Sequence, residues 1–237
     1  MSTFVLIHGG CHGAWCWYKV VPALEKLGHT VIAPDLPSHG RDKTPASAVT
    51  LPAYVDAVCH ILDAQPQPVV LVGHSMGGGI ITQTAEYRPD KIKTLVYLTA
   101  LLPANGESMG TVLRRNAGSV LASNFVPTAD NSASSVREEA LQDAFYGDCS
   151  DEDIALAKLL LTPQALAPLK AKLQTSTANF GRVPRVFIEC LQDRAHTLSF
   201  QRSVYPTFPG RQVIAMNTSH SPFFSAPDEL ATHLAGI

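Results

Sequence analysis

An α/β fold with a mostly parallel central sheet flanked by helices follows from three features of the sequence. Apolar runs of strand length alternate with amphipathic stretches of helix length, the rhythm of strand–helix–strand crossovers. The strand-length runs are apolar nearly throughout, as strands covered on both faces must be. A chain of 237 residues with 46% hydrophobic content can bury the core of one such domain carrying an insertion.

In chain order, Val5 to Ile7 reads as the first strand, within Phe4-Val5-Leu6-Ile7. It begins so near the initiator methionine that no basic and apolar leader precedes it, and a cytoplasmic location is expected. Trp17 to Leu27 reads as a helix, Thr30 to Ala33 as a strand, Leu51 to Asp63 as a helix, and Val69 to Val72 as a strand. A helix from Gly78 to Tyr87 and a strand from Thr94 to Leu98 complete the first half. The stretch from about Pro103 to Gly181 breaks the rhythm: it has helical periodicity at Val136 to Phe145 and Asp151 to Leu161, a polar loop at Thr128 to Ser135, and no convincing strand. It is expected to be a helical cap inserted between two strands. Strands at Val186 to Glu189 and Gln212 to Ala215 and a helix at Asp228 to Leu234 follow. The predicted organisation is a core of residues 1–102 and 182–237 with a cap of residues 103–181.

Charge narrows the partners. Net charge is −2 with both signs dispersed, so no basic tract can track a phosphate backbone and nucleic acid is not expected. No apolar run approaches the roughly 20 residues that cross a bilayer, so no membrane span is expected. The five cysteines, Cys11, Cys16, Cys59, Cys149 and Cys190, form no C-x-x-C pair. Free thiols are expected, and no metal site.

Between the strand at Val69–Val72 and the helix that follows lies Gly73-His74-Ser75-Met76-Gly77, a G-x-S-x-G elbow in strand–turn–helix context. So tight a turn needs small residues on both sides of the serine and leaves Oγ exposed above the sheet edge. A serine hydroxyl needs a base. Of nine histidines, His220 in Asn217-Thr218-Ser219-His220-Ser221-Pro222 follows the last strand, where the order nucleophile, acid, histidine requires it. Asp193, just past the strand Val186 to Glu189, is the candidate acid that orients the imidazole; Glu189 reads as structural and Asp35 as a loop-shaping residue. The oxyanion of acyl transfer needs donors. Met76 N–H, after the nucleophile, and Gly10 N–H, in the glycine-rich loop His8-Gly9-Gly10-Cys11-His12-Gly13, are the candidates. Gly9, Cys11, His12 and His74 are the expected substrate contacts. The glycines of the loop lack G-x-G-x-x-G spacing, which argues against dinucleotide binding.

These segments resemble the α/β-hydrolases, in the branch that contains plant methylesterases, hydroxynitrile lyases and bacterial esterases, among them pyrethroid hydrolases. The resemblance rests on Phe4 through Trp17, on Gly28-His29 with Ala33-Pro34-Asp35-Leu36, on Gly73 through Gly78, and on Phe145-Tyr146-Gly147-Asp148-Cys149-Ser150. It spans nearly the whole chain and implies an α/β-hydrolase fold with Ser75, Asp193 and His220 as triad and Gly10 and Met76 as oxyanion hole. Lyases of the rubber-tree and cassava type carry a lysine directly after the catalytic histidine and a threonine two residues before the loop cysteine, and other lyases of the branch use an asparagine at that second position; here those positions are Ser221 and Gly9. The resemblance thus favours a serine carboxylesterase acting on a neutral, hydrophobic small-molecule ester, with no cofactor and with a homodimer as the one assembly in view. A hydroxynitrile lyase, a hydrolase of thioesters, lactones or carbon–carbon bonds, and a slowly turning-over ligand receptor remain as alternatives.

Overall fold

The computed structural model describes residues 1–237. From the amino terminus, β1 (Thr3–Ile7), α1 (Val20–Lys26), β2 (Thr30–Ile32), α2 (Leu51–Asp63), β3 (Val69–His74), α3 (Gly77–Tyr87) and β4 (Ile92–Leu98) alternate. Between β4 and the next sheet strand come α4 (Met109–Leu113), β5 (Phe125–Pro127), β6 (Ala133–Val136), α5 (Glu138–Phe145), α6 (Asp151–Leu160), β7 (Gln164–Ala165) and α7 (Leu166–Lys170). The chain closes with β8 (Arg185–Cys190), α8 (Leu198–Val204), β9 (Gln212–Met216), α9 (Pro222–Ser225) and α10 (Pro227–Ala235).

Six strands form one sheet in the order β2-β1-β3-β4-β8-β9, and every neighbouring pair is parallel. Side chains alternate between its faces. Val5, Ile7, Leu71, Leu95 and Tyr97 pack with residues of α2 and α3 on one face; Phe4, Leu6, Val70, Val72, Val96 and Leu98 pack with α1 and α10 on the other. That is why β3 is buried at every position and reads as an unbroken apolar run. The chain leaves β1 for β2 on one side and reaches β3 on the other, a reversal of strand order whose crevice, outside the carboxyl ends of the strands, is where ligands bind in open α/β sheets. The loops after β1, β3, β4 and β8 converge there.

The region between β4 and β8 departs from the sequence reading. It holds a three-stranded antiparallel sheet, β5-β6-β7, and β6 takes up the end of the expected loop at Thr128 to Ser135, with Ala133 and Ser134 buried. Strands this short carry no periodic signal; their pairing is made by backbone groups distant in sequence. Helix α8, between β8 and β9, was also unforeseen, and the expected helix Trp17 to Leu27 is a 3-10 turn, Ala14–Trp17, followed by α1. Helix α6 opens with Ser150, whose hydroxyl accepts the Asp153 N–H at 3.2 Å, and with three acidic residues in its first turn, which suit the positive end of the helix dipole. Buried Asp153 also takes Lys19 Nζ at 2.7 Å and the Tyr18 hydroxyl at 2.8 Å, tying this segment to the chain after β1. No helix is long and apolar enough to cross a membrane.

Candidate active site

Ser75 stands between β3 and α3 with φ of +52°, a left-handed conformation that costs energy for a residue with a Cβ. Backbone hydrogen bonds hold it there: its N–H donates to Leu98 O at 3.2 Å, and its carbonyl accepts from Gly78 N at 3.1 Å and Leu101 N at 2.9 Å. The flanking glycines are steric necessities. A Cβ at Gly73 would lie 2.7 Å from Gly77 O, and one at Gly77 would lie 2.8 Å from Ile7 O. Neither backbone can retreat without moving a sheet strand. Gly77→Ala is therefore expected to destabilise the protein by about 2–3 kcal/mol, read as a lowered denaturation midpoint at unchanged m value; a midpoint equal to that of the native protein would show that the elbow can relax.

His220 Nδ1 lies 2.7 Å from Asp193 Oδ2. Because the carboxylate accepts, Nδ1 carries the proton and Nε2 is left with a lone pair. Nε2 is buried with no partner in the chain. His220 and Ser75 share one cavity wall, with Asp193 behind the imidazole. Four donors meet Asp193: Oδ1 accepts Ala195 N at 2.8 Å and His196 N at 2.7 Å, while Oδ2 takes Thr99 Oγ1 and His220 Nδ1. Burial pushes its pKa up, but the charge and hydrogen bond of His220, with the other donors, hold it below the ordinary value. Glu189, the rival carboxylate, pairs instead with Arg202 on α8 at 2.7 Å. Asp35 accepts Ala14 N at 2.7 Å and Arg41 N at 3.1 Å and so shapes its loop.

Gly10 and Met76 line the same cavity, and neither N–H has a hydrogen-bond partner within the chain. Cys11 and His12 also line it. Two of the expected substrate contacts sit differently. Gly9 is buried outside the lining, and a Cβ there would come within 2.7 Å of His74 Nδ1, so it is a spacer. His74 touches the cavity, but its Nε2–H donates to the His220 carbonyl at 2.9 Å, which fixes the backbone of the candidate base. A contact from the segment between β4 and β8 does the same for the preceding residue: Asp148 accepts the Ser219 N–H at 2.9 Å and the Ser219 hydroxyl.

Several residues at the site have no role assigned from the sequence. Thr99, with φ of +38°, follows β4 and touches Asp193. Phe145 stacks on His220 with ring centroids 5.5 Å apart. With Leu121, Phe125, Leu169 and Gln164 it closes the cavity from the segment between β4 and β8. No Lys, Arg, Asp or Glu is in the cavity wall.

Four imidazoles near the site, His8, His12, His74 and His196, are at most 1% exposed. Burial lowers all four pKa values, to about 4 for His12 and His196 and well below the ordinary value for the other two. In the unfolded chain the same rings take up a proton as pH falls through 6.5. Their folded values are depressed, so they leave stability untouched above that pH and subtract from it below. For His12 and His196 the cost grows by about 1.4 kcal/mol per ring per pH unit on the way down to about 4, and His8 and His74 add to it in the same direction. Melting temperature is expected to be flat above pH 7 and to collapse between pH 6 and 5; a flat profile down to pH 5 would mean that the rings protonate within the fold.

Residues 4–233 match the model of an alpha/beta hydrolase family. The chain is 37% identical over 250 residues to Methylesterase 1 of Arabidopsis thaliana, covering 99% of this chain and 95% of that protein. Among solved structures it is similar to a pyrethroid hydrolase from Sphingobium faniae, with a TM-score of 0.90 and 31% identity over 99% of this chain and 96% of that one. It is also similar to tomato methylketone synthase I complexed with beta-ketoheptanoate, in a variant form, with a TM-score of 0.90 and 28% identity over the same shares, 99% and 96%.

Proposed function

Because the chain belongs to the alpha/beta hydrolase family, we propose that it is a serine carboxylesterase that hydrolyses neutral, hydrophobic esters by two-step acyl transfer. The observation that carries this reading is the buried His220, protonated at Nδ1 toward Asp193 and with an unpartnered Nε2, in one cavity with a serine held at positive φ. His220 Nε2 takes the Ser75 proton as Oγ attacks the ester carbonyl, and the N–H groups of Gly10 and Met76 hold the oxyanion. Protonated His220 then donates to the leaving alcohol, and water activated by the same ring releases the acid from the acyl-serine. Asp193 stays ionised throughout, orienting the ring and stabilising its charged form. Residues 1–102 and 182–237 form the catalytic core in this reading, and residues 103–181 cap it.

The uncharged, largely apolar wall supports a neutral substrate. The likeness to a plant methylesterase favours methyl esters of apolar acids as the first to assay. Ser221 follows His220 where lyases of the rubber-tree and cassava type offer lysine, and no cation lines the cavity to receive cyanide. The test is hydrolysis of p-nitrophenyl acetate alongside mandelonitrile cleavage, with mass analysis of the Ser75 peptide during turnover. Sustained p-nitrophenol release, an acyl mass on Ser75 and no cyanide are expected. Cyanide release without ester turnover would establish the lyase instead, and a single slow turnover would point to a receptor.

A further inference from the structure

We propose that His8 is a positioning residue that aims the Gly10 N–H at the oxyanion, that His12 supports it by fixing the peptide on the other side of Gly10, and that the Tyr146 hydroxyl, from the segment between β4 and β8, locks His12 in that role. The proposal rests on the esterase reading above, in which Gly10 supplies one of the two donors.

In a planar trans peptide the carbonyl of one residue and the N–H of the next point in opposite directions, so whatever holds the carbonyl also aims the N–H. At Met76 the backbone does this alone, since Ser75 O accepts two N–H groups. At Gly10 the work falls to side chains. Gly9 O accepts from His8 Nδ1 at 2.8 Å, which sets the Gly9–Gly10 peptide and hence the direction of the Gly10 N–H. Gly10 O accepts from His12 Nδ1 at 2.8 Å, which sets the following peptide and turns the Cys11 N–H toward Gln164 Oε1 at 3.4 Å. Both peptides that flank Gly10 are pinned by an imidazole.

A neutral ring that donates at Nδ1 leaves Nε2 as an acceptor, and each ring has a donor there. His8 Nε2 accepts the Leu36 N–H at 3.1 Å, and His12 Nε2 accepts the Tyr146 O–H at 2.8 Å. A neutral imidazole that accepts at Nε2 carries its proton at Nδ1. Burial keeps both rings neutral. A loop of consecutive glycines would otherwise sample many orientations, and an oxyanion donor works only within a narrow range of distance and angle.

Leucine and asparagine variants at both positions separate this role from space-filling, because an asparagine amide can place an N–H near Nδ1 and leucine cannot. His8→Leu and His12→Leu are expected to lower kcat about 10²-fold with KM changed by less than about threefold, and the asparagine variants to recover most of that loss. Tyr146→Phe, which removes one hydroxyl, is expected to lower kcat about tenfold, as a ring freed to change tautomer or tilt aims the donor less well. Across the series the inhibition constant of trifluoroacetophenone, whose adduct with serine carries an oxyanion, should rise in parallel with the loss in kcat/KM. Native kcat in folded leucine variants, or asparagine variants no better than leucine ones at equal melting temperature, would overturn the proposal. If the leucine variants do not fold, Tyr146→Phe decides it, since native kcat and inhibitor affinity there would remove the His12 limb and the lock together. A Ser75→Ala control keeps the two readings apart: activity surviving in it defeats the esterase reading, whereas activity lost there but retained in His8→Leu defeats only this one.

Discussion

Ser75→Ala is expected to lower kcat by on the order of 10⁵–10⁶-fold while the protein still folds. The hydrogen bonds that hold the elbow use the Ser75 backbone, and Oγ takes no part in them. Alanine meets the same strain at positive φ that serine already bears, so the melting temperature should stay close to that of the native protein. What disappears is the covalent step: His220 then has no hydroxyl to deprotonate, and the ester can be attacked only by water. A residual acceleration of about 10³–10⁴ over the uncatalysed reaction should persist, because the Gly10 and Met76 donors and the cavity are intact. Steady-state hydrolysis of p-nitrophenyl acetate with a thermal melt on the same sample checks both halves. Turnover within tenfold of native would exclude Ser75 as the nucleophile.

Asp193→Asn should lower kcat about 10⁴-fold, for a reason visible in the four contacts of the carboxylate. The two N–H donors from Ala195 and His196 converge on Oδ1, so an asparagine must put its oxygen there. Its NH₂ then occupies the Oδ2 position and faces Thr99 and His220 Nδ1. The threonine hydroxyl can rotate to accept. The imidazole can accept only by moving its proton to Nε2, the nitrogen that must take the proton of Ser75. The variant is thus expected to keep its geometry and substrate binding, with KM nearly unchanged, and to hold the base in the wrong tautomer. Stability should fall as well, by the share that the ionised carboxylate contributes: with its folded pKa below the ordinary value, that share is present at neutral pH and lost as pH falls through the folded value. If Asp193→Asn retained a tenth of native kcat, the carboxylate would be a structural anchor and not the orienting acid.

Much of the architecture could be read before any coordinates because it is encoded locally. The six strands of the main sheet are apolar runs bounded by turns, and α2 and α3 carry their periodicity within themselves, so they lie within two residues of where the sequence puts them. The strands β5, β6 and β7 left no such mark, being two to four residues long and held by partners up to about thirty residues away. The proposed triad of Ser75, Asp193 and His220 was legible through chain order, each residue following the carboxyl end of a sheet strand, β3, β8 and β9. Roles that depend on which atom faces which were not. His74 reads as a substrate contact because it neighbours the serine, and only the folded chain adds that it also holds a carbonyl 146 positions later. Thr99 carries no signal in the sequence, and only its hydrogen bond to Asp193 marks it.

The short run Thr162–Gln164 reaches back to the loop after β1: Thr162 N–H donates to Cys11 O at 2.9 Å, and Gln164 Oε1 meets Cys11 N, His39 Nε2 at 3.1 Å and the space beside Gly10. These contacts tie the roof of the cavity to its floor at the atoms beside Gly10, so roof and floor are not interchangeable parts. A chimera that takes residues 103–181 from a relative to alter substrate choice would inherit a foreign clamp on a native loop. The transferable unit for such engineering is the roof together with residues 8–13, exchanged as a matched pair.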